Sequence, residues 1–117
     1  AIHWIENPHD TSRPGPYGEL GAYQFRSVTW RMHTSEPFAR ALNRKASDDV
    51  AIKHYEWIKQ GLMRNGLEPS IYNIAMAWNG GLSAVVNGSA PAATHNYAER
   101  VSNIAESLHQ SQTASTP

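Results

Sequence analysis

Three prolines and three glycines fall between Asn7 and Ala22: Pro8, Pro14 and Pro16, with Gly15, Gly18 and Gly21. Proline inside a helix removes a backbone donor and clashes with the preceding turn, while glycine there loses conformational entropy. "IHWIE" (2–6) therefore reads as the end of a helix, which must stop near Glu6. The segment beyond it is expected to be a structured loop or a short β-tongue. Inside it, "YGELGAYQF" (17–25) sets an acid, an amide and three aromatic rings around two glycines. A turn of that composition brings Glu19, Tyr23 and Gln24 close together.

The remainder reads as helical. Ser27 is placed to cap a short helix through "VTWRMH", and Ser35 with Pro37 to open another through "FARAL". Ser47-Asp48-Asp49 suits a helix N-terminus, and that helix is expected to run to about Asn65, before Gly66. Ala51, Tyr55, Ile58 and Leu62 make its apolar stripe. Pro69-Ser70 opens "IYNIAMAWN", with Ile71, Ile74, Ala75 and Trp78 on one face and Gly80-Gly81 as the stop. "LSAVVN" adds a turn or two. A last helix from about Thr94 repeats the pattern with Tyr97, Val101, Ile104 and Leu108. The expected fold is mainly α: six or so helices and one Gly/Pro-rich excursion, in a single domain over residues 1–110 with a polar tail at 111–117.

Composition narrows the function classes. Formal net charge is zero over 117 residues, which speaks against a dedicated nucleic-acid binder. Residues 26–64 carry eight Lys/Arg against four acids, a pattern read as a solvated helical surface. There are no cysteines, hence no disulfide framework, thiolate metal site or cysteine nucleophile. Six histidines show no metal-binding helical spacing, and His9-Asp10 in the loop is read as structural. No metal or organic cofactor is expected, and no apolar run approaches the ~20 residues that span a bilayer. The chain starts at Ala1 rather than methionine and ends in "SQTASTP", as a domain cut from a longer, exported protein would.

Glu6 comes directly after an apolar-aromatic turn, Ile2-His3-Trp4-Ile5. It is either an exposed acid near a chain end or a carboxyl whose apolar neighbours favour its protonated form. Gln24 comes 18 residues later in "Gly21-Ala22-Tyr23-Gln24". Downstream lie "Ala77-Trp78-Asn79-Gly80-Gly81" and "Thr94-His95-Asn96-Tyr97". In order and partly in spacing, these stretches resemble the catalytic domain of soluble lytic transglycosylases, cousins of goose-type lysozymes. That family has a helix ending in Glu-Ser, a Ser-Pro-x-Gly-Ala loop, Gly-Leu-Met-Gln, Ala-Tyr-Asn-Ala-Gly and Glu-Thr-x-x-Tyr-Val. Aligned without gaps, Glu6 falls on the catalytic glutamate, Gly15-Pro16-Tyr17-Gly18-Glu19 on the loop, and Gln24 on the glutamine. Asn7, Gly15, Tyr23, Trp78 and Ala93 depart from the family residues.

The resemblance implies a lysozyme-like helical domain that cleaves β-1,4 bonds between N-acetylated sugars, peptidoglycan foremost. Glu6 acts as acid and then base, while the substrate's own acetamido group replaces a second carboxylate. Tyr23, Gln24, Trp78, Asn79 and Tyr97 line the cleft. Glu19 is either a solvated turn acid or a second carboxylate that activates water; Asn79 is either a ligand contact or a helix C-terminal residue, and Trp78 and Tyr97 either sugar-stacking or core rings. Such a protein works outside the cytoplasm, or in a phage particle or a wall-crossing assembly. The alternatives are a glycan-binding module of the same fold without catalysis, and a hydrolase acting on peptidoglycan or chitin-type glycans through Glu19.

Overall fold

The computed structural model describes residues 2–7 and 12–114. His9 and Asp10, and residues 115–117 of the polar end, lie outside the described residues. Among the described residues six α-helices and one 3₁₀ helix succeed one another: α1 (Ile2–Glu6), α2 (Ser27–His33), the 3₁₀ helix (Phe38–Leu42), α3 (Arg44–Arg64), α4 (Ile71–Gly80), α5 (Leu82–Val86) and α6 (Ala92–Ala114). The protein is mainly helical, as its sequence implies. Among the described residues there is no strand, and the Gly/Pro-rich stretch contributes one isolated bridge, Leu20 to Phe25. The chain divides into two compact units, Ile2–Glu56 and the residues from Trp57 onward, with the boundary falling inside α3.

In the first unit an aromatic cluster forms the centre. Trp30 of α2 is fully buried, with Phe25 and Phe38 rings at centroid distances of 5.9 and 6.4 Å. Its indole N–H donates to the Glu36 carbonyl at 2.9 Å, so the polar edge of the ring is satisfied inside. Two local expectations change here. Ser27 is the first helical residue rather than the cap, which is Arg26 in extended conformation with no side-chain bond. "FARAL" closes as a 3₁₀ helix, the tighter form that proteins use in short pieces and as connectors.

α3 starts at Arg44, three residues before the Ser47-Asp48-Asp49 start expected from the sequence. The Asn43 side chain accepts from the Ala46 backbone N–H at 2.9 Å and caps it. Its end is a Schellman motif: Gly66 (φ 72°) donates to Met63, and Leu67 to Leu62. The buried face also differs by one position. Ala51, Ile58 and Leu62 are buried as the periodicity requires, but Tyr55 is 41% exposed, and Val50 and the 7%-exposed His54 are buried outside the expected stripe.

In the second unit α4 packs on both α5 and α6. Ile74, Ala75, Met76 and Ala77 of α4 meet Tyr97, Ala98 and Val101 among the buried residues of this unit. Ile71 and Leu108, which continue the two stripes at their ends, are exposed. Gly61 of α3 faces Leu82 so closely that a Cβ would overlap the leucine side chain. Ser70 caps α4, its side chain accepting from the Asn73 N–H at 3.1 Å. Ser70→Ala is expected to cost about 1 kcal/mol, read as a lower urea midpoint at constant m-value.

Candidate functional site

Glu19, Tyr23 and Gln24 lie in or beside the turn closed by Leu20 and Phe25. These two exchange both backbone hydrogen bonds at 3.0 Å, leaving Gly21-Ala22-Tyr23-Gln24 as a four-residue loop. Gly21 has φ 81° and Gln24 φ 51°. Glutamine is uncommon at such an angle, and among the described residues Gln24 is the only non-glycine there. Its side chain helps hold it: Gln24 Nε2 donates to the Gly21 carbonyl at 3.0 Å, beside the backbone bond from Gln24 N at 3.1 Å.

The same carbonyl takes a third donor. Asn7, the buried residue next to Glu6 in the chain, donates through Nδ2 to Gly21 O at 3.1 Å. Asn7 N also continues the helical bonding of α1 by donating to His3 O at 2.9 Å. The C-terminal end of α1, with half-buried Glu6 as its last residue, is thereby tied to the turn that presents Gln24.

Glu19 belongs to this cluster. One carboxylate oxygen accepts the Tyr17 N–H at 2.6 Å, and its backbone carbonyl accepts from Gly15 N at 2.8 Å. The other carboxylate oxygen and Gln24 Oε1 both crowd Gly15: a Cβ there would lie 3.1 and 2.7 Å from them. Gly15 thus provides the space in which the Glu19 and Gln24 side chains converge. A serine at that position would have to displace one of them.

Tyr23 points its hydroxyl elsewhere. It donates to Asp48 of α3 at 2.6 Å, and Arg44 Nε donates to the same carboxylate oxygen at 2.8 Å. The guanidinium carbon of Arg44 stands 5.7 Å from the Tyr23 ring centroid, and the His3 ring centroid lies 6.0 Å from it. Burial, then the bond and charge of Asp48, raise the Tyr23 phenol above its ordinary value. Burial alone would raise Asp48, but the bonds from Tyr23 and Arg44 outweigh it and hold the carboxyl below its usual range. No short sequence pattern announces this trio. Arg44 and Asp48 are an i, i+4 pair, and their aromatic partner comes from far earlier in the chain.

Comparison with protein-family models, with curated proteins and with solved structures found no match.

The remaining candidates belong to the second unit. Asn79 is exposed near the end of α4, and its Oδ1 accepts from the buried Thr94 hydroxyl at 2.9 Å, linking α4 to the first turns of α6. Gly80 permits that approach, since a Cβ would stand 3.0 Å from the Thr94 side chain. Tyr97 is buried on α6 and Trp78 is half-buried on α4. Among the described residues no three His, Asp or Glu side chains are arranged to hold a metal ion, and no helix is long and apolar enough to cross a membrane.

Proposed function

We propose that the protein is a glycosidase of lytic transglycosylase type, cleaving β-1,4 bonds between N-acetylated sugars of peptidoglycan outside the cytoplasm, with Glu6 as its single acid/base. The observation that carries this reading is the shared acceptor at Gly21. Asn7, the residue after Glu6, and the amide of Gln24 are bonded to one carbonyl oxygen, which supports a common site for Glu6 and Gln24. The Glu6 carboxyl donates its proton to the leaving glycosidic oxygen. The acetamido oxygen of the substrate stabilises the oxocarbenium-like anomeric carbon. Glu6, now a carboxylate, removes the proton from the sugar's 6-hydroxyl as the 1,6-anhydro ring closes. Gln24, with an amide that both donates and accepts, suits the acetamido and hydroxyl groups of the sugar.

Glu6 and Gln24 both lie within Ile2–Glu56. What favours one carboxylate over two is the engagement of Glu19. One carboxylate oxygen accepts the Tyr17 N–H and its backbone carbonyl accepts from Gly15 N, which suits a brace for the turn better than a base for water. Mass spectrometry of peptidoglycan incubated with the protein tests the reading. Fragments ending in 1,6-anhydro sugar are expected. Reducing ends would make the protein a hydrolase and return Glu19 to the chemistry, and intact glycan, with chitin-type substrates also uncut, would remove the enzymatic reading.

A further inference from the structure

Two histidines of the first unit meet where the helical periodicity places a tyrosine. His33 Nε2, at the last residue of α2, stands 2.9 Å from His54 Nδ1 on α3, with the ring centroids 5.1 Å apart at 63°. One ring donates an N–H to the other's lone pair, whichever tautomers they take. His54 is buried and His33 half-buried. The edge contact of Phe25 with His54 reaches on to the turn, since Phe25 closes the Gly21–Gln24 loop. Among the groups facing the pair are the uncharged Phe25 ring from the turn, each ring for the other, and Lys53 of α3. The Lys53 ammonium donates to the His33 carbonyl at 3.2 Å.

We infer that the His33–His54 contact is an acid-released latch, holding the C-terminal end of α2 on α3 until the pair binds its second proton. The geometry dictates the proton count. With no added proton, one ring donates and the other accepts. A first proton on the outer nitrogen of the donor ring leaves that bond in place. A second proton turns the acceptor into a donor, and two N–H groups with two positive charges then face each other at hydrogen-bond distance in a partly buried setting. The contact has no bonded arrangement left, and separation of the helices is the relief.

The electrostatics agree with the geometry. Burial first, and the neighbouring His33 second, bring the His54 imidazole down to about 4, and burial with Lys53 lowers His33. Both rings take protons more readily once released, so the stability they permit is full above about pH 6.5 and falls as the pH drops toward 4. For His54 alone the folded-to-open ratio changes on the order of 100-fold across that window. Asp48, with its carboxyl held below the usual range, gives way only in stronger acid, so the two processes occupy separate windows.

The test is an acid titration of the full chain, tracking the imidazole nitrogens and the Trp30 indole N–H by NMR beside near-UV circular dichroism. The near-UV signal and the Trp30 indole protection are expected to be lost together between pH 6.5 and 4, with uptake of more than one proton. His54→Leu is expected to move that midpoint down by about one pH unit or more. His33→Gln, which keeps an amide for His54 to bond, lowers the uptake by about one proton and decides the matter if His54→Leu does not fold. An unchanged midpoint and proton count in the folded variants would overturn the latch. So would wild-type His54 titrating near 6.5 with its tertiary signal intact. Neither readout uses a glycan, so the result is independent of whether the protein cleaves one.

Discussion

Glu6→Gln is expected to slow glycan cleavage by about 10²- to 10⁴-fold while leaving far-UV circular dichroism and the urea midpoint of the protein unchanged. The amide has the size of the carboxyl and keeps an acceptor oxygen, so the half-buried end of α1 retains its packing. It cannot release a proton to a leaving oxygen, nor take one back. The neighbouring contact is untouched, because Asn7 reaches Gly21 through its own side chain. Glu19→Gln is the informative partner. Its oxygen can still accept the Tyr17 N–H, so the turn persists and cleavage stays within a few-fold of wild type if Glu6 acts alone. Full activity in Glu6→Gln would remove Glu6 as the acid, and a collapse in Glu19→Gln would call for the two-carboxylate mechanism.

Gly21→Ala is expected to have the largest effect on stability. The residue has φ 81°, where an L side chain costs about 1–2 kcal/mol. Its Cβ would also overlap the Ala41 carbonyl oxygen and come within 2.9 Å of the Ala41 carbonyl carbon. That obstacle is backbone of the 3₁₀ helix, which cannot rotate away as a side chain does. The expected loss is about 3 kcal/mol or more, a large share of the stability of a small protein. Gly18→Ala separates the two causes: Gly18 has the same φ of 81°, but a Cβ there meets nothing within 4 Å. It should lose only the conformational part, about 1 kcal/mol. Urea unfolding of the pair, monitored by near-UV circular dichroism, measures the difference. Equal losses would mean that the approach to Ala41 does not matter.

How much of the fold is legible in the sequence depends on how far apart the interacting residues lie in the chain. The α4 boundaries can be read because a serine cap and a glycine stop act within one helical turn. α3 reads three residues short because Arg44 and Lys45 oppose the dipole at a helix N-terminus, and the acids behind them mask the Asn43 cap. Its buried face is misread because hydropathy prefers tyrosine to histidine. His54 is accommodated inside with a nitrogen partner 21 residues away. The same limit applies to the site. Glycine density indicates that Glu19 and Gln24 share a turn, and they converge at Gly15. The bond of Tyr23 to Asp48 and the reach of Asn7 to Gly21 depend on tertiary placement, which local composition does not carry.

The Gly21 carbonyl, with its three donors, also sets the timescale of the turn. To wet that oxygen, water must displace the Asn7 amide, the Gln24 amide and the Gln24 backbone N–H, and losing any one leaves two in place. Such an opening is all-or-none rather than a gradual fraying. The Gln24 backbone proton is therefore expected to exchange with solvent as slowly as the bridge protons of Leu20 and Phe25, so that a residue in a surface loop keeps the clock of the core beneath it.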